Sequence, residues 1–553
     1  MVDARDHSYI PTLKRNLAEG RIDRREFLRT ATLLGMSATA AYAFVGKVTG
    51  RGFVAPARAA AMPQGGTLRL AVRVQEMKNP HTWDWTPKSN IGRQIVEYLS
   101  KTGQDNITRP YLLESWQASD DLKTWTLNIR KNVKWHNGRQ FTADDVIWNI
   151  NHALDPEVGS SVIGLMKGYM LKDVEKDGKK TTELWDANAI ERVDDFTVRL
   201  NAKAPQLAVP EHLFHYPFPM LDPEEGGILE PGGNGTGPFD FTSIEVGKKA
   251  VMTARDSYWG GRRAYIDRLE YIDLGDDPTA SIAALASKQV HGLGDGATIN
   301  TLETLKNLPH VNMYQVSTAQ TGVARMKPIP PFDDPRVRTA MRLAVDPRKV
   351  LQAAHRGLGD PGEHHHVAPV HPEYAKLPFM EQDIPAAKKL LADAGHPNGI
   401  KGEIVIQTVP WEQAAVTTMV EQWKAAGINI KINIKPSAQY WETWDKVPFG
   451  FTGWTHRPLG VMVLGLAYRT DVPWNESSYS NPEFDRLLSE AEGILDVDKR
   501  RVVMAKIEKL MQVDGPIVQP LWRSIFTAMD KRVKGFKMHP TSYIFGDELA
   551  IES

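Results

Sequence analysis

Apolar side chains fall at two spacings along this chain. Trp125, Leu127 and Ile129 alternate with Thr126, Asn128 and Arg130, the period of a half-buried strand. Gly65-Gly66 leads into a shorter strand pattern over Thr67–Val72, and the loop KNPHTWDWTP follows it. Ile91, Ile95, Val96 and Leu99 stand three and four apart, which predicts a helix across them. Asn137-Gly138 marks a tight turn. Thr142-Ala143-Asp144-Asp145 then offers a hydroxyl cap and an acidic first turn to a helix that buries Val146, Ile147 and Ile150.

The second half of the chain repeats this grammar. Val337, Met341, Ala344 and Val345 share a helical face between Pro335 and Leu351. Asp383 to Gly395 holds a polar cap, Pro385 in the first turn, an apolar stripe and a terminal glycine. Strand-like Ile404–Ile406, a helix through Val416, Met419, Val420 and Trp423, and the strand pattern Ile428–Ile434 follow in order. Strand, helix and strand so close together predict a parallel α/β unit. The glycine-rich run Pro231–Pro238 lacks the Lys-Ser/Thr of a phosphate loop and reads as a turn entering a strand at Phe239. There is no internal repeat, low-complexity tract or long linker.

Composition narrows the class. The chain has 553 residues, 42% hydrophobic and 24% charged, too long for one simple core, so at least two lobes are expected. Basic and acidic residues balance at 67 each, so no strong positive field gathers nucleic acid. The absence of cysteine removes disulfides, thiolate metal sites, a thiol nucleophile and a lipid-modified N-terminal cysteine. Asp23-Arg24-Arg25-Glu26-Phe27-Leu28-Arg29 precedes an uncharged run from Thr30 to Gly46. Small residues follow, with Ala57-Arg58-Ala59 and Ala59-Ala60-Ala61 as candidate cleavage motifs. This order is that of an export signal, and the paired arginines resemble the twin-arginine type. The run is short and weakly apolar for a membrane span, so residues 1–61 are expected to be a cleaved leader. Its loss would leave 492 residues with a net charge of about −5.

Seven stretches in this order resemble the family 5 extracellular solute-binding proteins, the peptide- and nickel-binding components of ABC importers. They are GGTLRLAV, RPYLLESWQASDDLKTWTLNIRKNVKWHNGRQFTADDV, GTGPFDF, DSYWGGRRAYIDRLEY, PPFDDPRVRTAMRLAVDPRKV, IPAAKKLLADAG and PEFDRLLSEAE. The resemblance implies an α/β two-lobe periplasmic-binding-protein fold with hinge strands and an extra subdomain in the first lobe. Residues 62–318 would form lobe I, with the subdomain at about 104–230. Residues 319–524 would form lobe II, and 525–553 would return to lobe I. It implies a periplasmic, monomeric receptor that closes over a small solute and hands it to an inner-membrane ABC permease, without a cofactor.

Candidate ligand-binding residues sit in segments whose counterparts line the cleft in this family. Trp83, Asp84 and Trp85 occupy the loop after the first strand, and Trp411 starts a helix after a strand, a common place for a ligand contact in α/β sheets. Arg325 lies among small neighbours near the expected hinge and needs a partner. Tyr440 stands with Trp441 and Trp444 between strand and loop, and two of these three are expected to be packing residues. The stretch FTGWTHRPLG adds Trp454, His456 and Arg457. In peptide-binding relatives this strand end reads roughly Gly-Trp-x-Asp, and the Asp pairs with the ligand's amino group. Here His456 replaces it, and His456 with Arg457 suits a carboxylate, phosphate or hydroxyl-rich ligand.

Glu363-His364-His365-His366 raises a nickel or zinc reading, but consecutive histidines share no face and read as a solvated loop. No G-x-S-x-G, H-E-x-x-H or nucleotide loop is present, so an enzyme is not expected. The expected cargo is a peptide or a peptide-like, amino-acid-derived compound. Opines, oligosaccharides and metal chelates are the alternatives.

Overall fold

The computed structural model describes residues 7–50 and 62–552. Ten strands carry the architecture: β1 (Thr67–Ala71), β2 (Phe239–Glu245), β3 (Lys249–Ala254), β4 (Arg268–Ile272), β5 (Gly292–Leu293), β6 (Val311–Met326), β7 (Ile400–Gln407), β8 (Ile428–Lys435), β9 (Phe449–Trp454) and β10 (Leu521–Asp530). They lie in the order β2-β3-β4-β1-β5-β10-β6-β9-β7-β8 within one twelve-stranded sheet, completed by Gly359–Pro361 and Ile517–Val518. β1 runs parallel to β4, and β7 runs parallel to β8, the latter as its strand–helix–strand order predicts.

Two strands join the halves of this sheet. β6 is sixteen residues long, and its first part, Val311–Ser317, pairs antiparallel with β10 from Asp530 back to Ser524. The register breaks between Ser317 and Gln320, and Thr321–Met326 then pairs with β9. One strand thus serves both halves, with an irregularity where it passes between them.

The half built on β7, β8 and β9 has its own core. Helices Pro335–Leu343, Pro347–His355, Ile384–Asp393 and Pro410–Ala425 bury Met341, Val350, Leu391 and Trp423 against the sheet. The larger core lies beneath β1 and β4 and extends into a four-stranded sheet of Leu113–Ala118, Thr124–Ile129, Thr197–Asn201 and Ile190–Asp194. Helix Gly460–Tyr468 packs there against helix Val162–Met170, where a Cβ on Gly164 would stand 3.4 Å from the Leu466 Cα. The glycine-rich run is a close-packed turn: a Cβ on Gly235 would meet the Ile95 carbonyl oxygen at 2.1 Å.

Two helices differ from their sequence patterns. The Ile91–Leu99 stretch is helical only as Thr86–Gly92, because the indole of Trp83 fills the space beside Gly92 and the chain turns there. The Pro335–Leu351 stretch is two helices, because Asp346 accepts the Arg348 N–H and Pro347 restarts the helix. Residues 7–50 form helices Ile10–Ala18, Arg24–Leu33 and Ala38–Thr49 against the body, and Trp116 Nε1 donates to the Leu33 carbonyl at 2.8 Å. Both cleavage motifs lie outside the described residues. Among the described residues no helix is long and apolar enough to cross a membrane.

Candidate ligand-binding site

A cavity with about 340 Å³ open to the centres of water molecules lies where the two halves of the sheet meet. One wall comes from the end of β1, the Asp84–Pro87 loop and residues 293–299. The other comes from the end of β7, the start of helix Pro410–Ala425, the end of β9 and residues 523–526 of β10. Strand ends feeding helix starts bring polar backbone and side chains into a crevice in α/β sheets.

The walls are rich in indoles. Trp454 and Trp474 meet edge to face with ring centres 5.9 Å apart, Trp444 touches Trp474 at 6.3 Å, and Trp441 touches Trp444 at 5.5 Å. Such interlocked rings present rigid apolar faces at small entropic cost. Trp454 is fixed further because its Nε1 donates to Glu476 at 2.8 Å.

Charges stand on both walls. The Arg457 guanidinium lies 5.3 Å from the Tyr216 ring centre, and its Nη1 donates to the carbonyls of Thr455 and His456. Its Nε is buried without a partner. Arg457 also borders a void of about 20 Å³ behind the cavity, room for one water. Arg523 sits 4.6 Å from the Trp411 ring centre and donates to Gln320 Oε1 at 2.9 Å. Desolvation lowers its pKa to about 10. Glu412 accepts from Gln407 Nε2 at 2.9 Å, and burial pushes its pKa up to about 8. On the opposite wall Asp295 accepts the Arg73 N–H, and burial raises it to about 7. His355 is held neutral by burial, then by repulsion from Arg523, at about 3.

The structure brings five of the nine sequence candidates to this cavity: Asp84, Trp85, Trp411, Trp454 and Arg457. The other four lie behind its walls. Trp83 is a core residue whose Nε1 donates to the Met77 carbonyl at 2.7 Å, because its indole packs on Gly92. Arg325 finds its partner within the chain, donating to Glu476 Oε2 at 2.6 Å and to the Trp444 and Val447 carbonyls. Tyr440 is buried, with its hydroxyl on the Phe451 carbonyl and Thr452 Oγ1, whereas Trp441 and Trp444 reach the cavity. His456 is a clasp: Ala319 N–H donates to its Nδ1 at 3.0 Å, which leaves Nε2–H to donate to Asn106 Oδ1 at 3.0 Å.

His364, His365 and His366 are buried, not solvated. Gln519 N–H donates to His364 Nδ1, His366 Nδ1 bonds the Tyr468 hydroxyl at 2.6 Å, and His365 Nε2 lies 3.7 Å from both Glu363 and Glu508. Among the described residues no group of acidic and histidine side chains is arranged to hold a metal ion. The sequence reading missed Glu412, Arg523, His355, Asp295 and Trp474. Glu412 adjoins the chosen Trp411, and Arg523 lies at the expected crossing near 524, so both positions were within reach of it.

The cavity lies between two sheet halves joined by shared strands. Residues 108–468 match the bacterial extracellular solute-binding proteins, family 5, and the chain belongs to that family. It is 27% identical over 496 residues to heme-binding protein A of Haemophilus influenzae, covering 82% of this chain and 85% of that protein. It is 26% identical over 501 residues to the periplasmic oligopeptide-binding protein OppA of Escherichia coli, covering 84% and 89%. In fold it is similar to Haemophilus influenzae OppA in complex with RPPGFSPFR, at a TM-score of 0.77, 20% identity and 89% and 100% coverage. The binding protein AgaA in complex with agropinic acid is equally near, at a TM-score of 0.77, 21% identity and 88% and 99% coverage. These relatives and neighbours are binding proteins, and the two-lobe α/β fold is theirs.

Proposed function

We propose that this chain is the periplasmic receptor of an ABC importer and that it encloses a peptide-like, amino-acid-derived solute between its lobes without changing it chemically. The observation that carries this reading is the cavity itself, walled by indoles from both halves of the sheet and furnished with charges of both signs. Apolar walls with a few fixed polar groups are the usual makeup of a small-molecule site. The names of the relatives, which include heme-, dipeptide- and oligopeptide-binding proteins, support the class of cargo. Arg457 favours a second reading, an acidic opine-like solute, since its partnerless Nε–H suits a carboxylate.

In this reading lobe I spans residues 62–318 and lobe II residues 319–524, and they turn about the register break of β6 and the facing part of β10. Solute drives closure only through contacts made in the closed form, and a shift from mostly open to mostly closed needs about 5 kcal/mol of such contacts. Residues 1–61 would direct export as a folded protein through a twin-arginine signal and then be removed. The receptor acts as a monomer and meets the permease through its closed surface.

The test is native mass spectrometry of protein purified from its own periplasm, followed by small-angle scattering with and without the recovered solute. An unmodified amino-acid-derived solute and a smaller radius of gyration in its presence are the expected results. A chain that carries no solute and keeps one shape across peptides, opines and sugars would overturn the proposal.

A further inference from the structure

Trp85 differs from the other indoles of the cavity because no other ring of the chain packs on it. It precedes helix Thr86–Gly92, is partly buried and lines the wall that carries the end of β1. Among the described residues its indole has neither a ring neighbour nor a hydrogen bond. On the other wall the indoles interlock. Trp441, Trp444, Trp474 and Trp454 form a train with successive ring centres 5.5, 6.3 and 5.9 Å apart. One buried ion pair pins two of them from behind: Glu476 accepts from Trp454 Nε1, and Arg325 donates to the Trp444 carbonyl. The train is thus held in place while the Trp85 ring stays without a stacking partner. Guanidinium groups already cover the aromatic faces beside it. Arg457 lies 5.3 Å from the Tyr216 ring centre and 5.9 Å from that of Trp474, and Arg523 lies 4.6 Å from that of Trp411.

We propose that the solute carries an aromatic ring that enters between Trp85 and the indole train, and that Trp85 and Trp441, the partly buried members of the two walls, set this preference. This inference rests on the receptor reading above. A ring in that slot gains twice. It takes apolar area out of water, and its edge and face meet indole faces and edges, which adds to the gain from area alone. An aliphatic group receives only the first of these. A cationic group would approach Arg457 and Arg523, which carry the same sign and already occupy the faces that would attract it. An ionised carboxylate would shed its water against the rings. The Arg325–Glu476 pair acts here as a positioning device, because it fixes Trp444 and Trp454 before the solute arrives and so lowers the ordering cost of binding.

The experiment uses the full chain and five glycyl dipeptides whose second residue is phenylalanine, cyclohexylalanine, leucine, lysine or aspartate, with affinity read by titration calorimetry. Cyclohexylalanine has the outline of phenylalanine and more apolar area but no π face, so it separates ring chemistry from burial. Trp85→Leu and Trp441→Leu keep an apolar side chain at partly buried positions, so melting temperature and circular dichroism should stay near those of the parent. The phenylalanine dipeptide should bind about 2- to 10-fold tighter than its cyclohexylalanine counterpart. It should bind about 10-fold or more tighter than the lysine and aspartate dipeptides. Each Trp→Leu variant should narrow the phenylalanine advantage over cyclohexylalanine. Cyclohexylalanine binding as tightly as phenylalanine, a preference for lysine or aspartate, or an advantage unchanged in both variants overturns the inference and leaves the receptor reading intact. Binding of none of the five overturns the peptide-like cargo and this inference together.

Discussion

Arg325 and Glu476 face each other, both buried, behind the cavity wall, with Nε 2.6 Å from Oε2. Glu476 also accepts from Trp454 Nε1 and Thr452 Oγ1, so one carboxylate anchors both an indole of the site and the strand that carries it. Removal of either partner strands a buried charge. Glu476→Ala is expected to cost about 3–5 kcal/mol, seen as a fall in melting temperature. The double variant Arg325→Met/Glu476→Met should recover much of that loss, because a buried ion pair gains little over apolar residues of similar volume. Melting temperatures that fall equally in the single and double variants would show that the pair contributes through shape alone.

His456 and Arg457 are neighbours in sequence with separate duties. His456 joins Ala319, beside the register break of β6, to Asn106 in the other half of the protein. His456→Ala should cost about 1–3 kcal/mol of stability for the two unpaired groups it leaves. Arg457 reaches the cavity and lies over Tyr216, so Arg457→Ala should weaken binding of the recovered solute while the melting temperature of the empty protein changes less. Arg457→Lys should not restore binding, because an ammonium lacks the planar face and fork of guanidinium. Titration calorimetry beside thermal melts separates the two effects. Equal loss of affinity in His456→Ala and Arg457→Ala would sink the division of labour.

The regular parts of the fold were legible because local pattern and tertiary packing agree there. Asp383 caps its helix through the Ala386 N–H, the β7–helix–β8 unit forms as read, and Phe239 begins a strand after the glycine turn. The site was half legible. Trp411 and Trp454 stand at strand ends, where topology points side chains into the crevice. Trp83 and Tyr440 carry the same chemistry one or a few positions away, and packing against Gly92 and Thr452 turns them inward. His364–His366 misled in the other direction. Their burial depends on partners over a hundred residues distant, Gln519 and Tyr468, which no local window contains.

The N-terminal helices bury apolar surface against the body, and among the described residues the first to line the cavity is Ala71. Phe27, Leu28 and Ala31 are covered, and Leu33 shields the Trp116 indole. A chain beginning at Met62 keeps every strand of the twelve-stranded sheet. It should therefore fold and bind the recovered solute with unchanged affinity. Its melting temperature should fall, and 1-anilinonaphthalene-8-sulfonate should bind the uncovered Trp116 face. A truncated chain that is unfolded by circular dichroism would show that residues 7–50 are an integral part of the body.

The pH dependence of stability should be set by histidines on the acid side and carboxyls on the alkaline side. Burial lowers His81, His212, His364, His365 and His539 to about 3 and His371 to about 4, against an ordinary value of 6.5. Between those values the unfolded chain binds more protons than the folded one, so stability falls as pH drops below about 6.5. Burial raises Glu97 and Glu211 to about 7, Glu412 to about 8 and Glu508 to about 9. For these the folded form binds more protons between about 4.5 and the raised value, so stability also falls as pH rises across that range. Between about 4.5 and 6.5 these histidines outweigh the raised carboxyls, and above about 6.5 the carboxyls act alone, so the highest melting temperature should lie near pH 6.5. His365→Gln should flatten the acid limb, because a neutral amide cannot take up the proton that burial, and then His371, keep off the His365 ring. Glu508→Gln should flatten the alkaline limb instead. Melting curves from pH 4.5 to 9 check both, and a profile that stays level down to pH 5 would rule out the histidines as its cause.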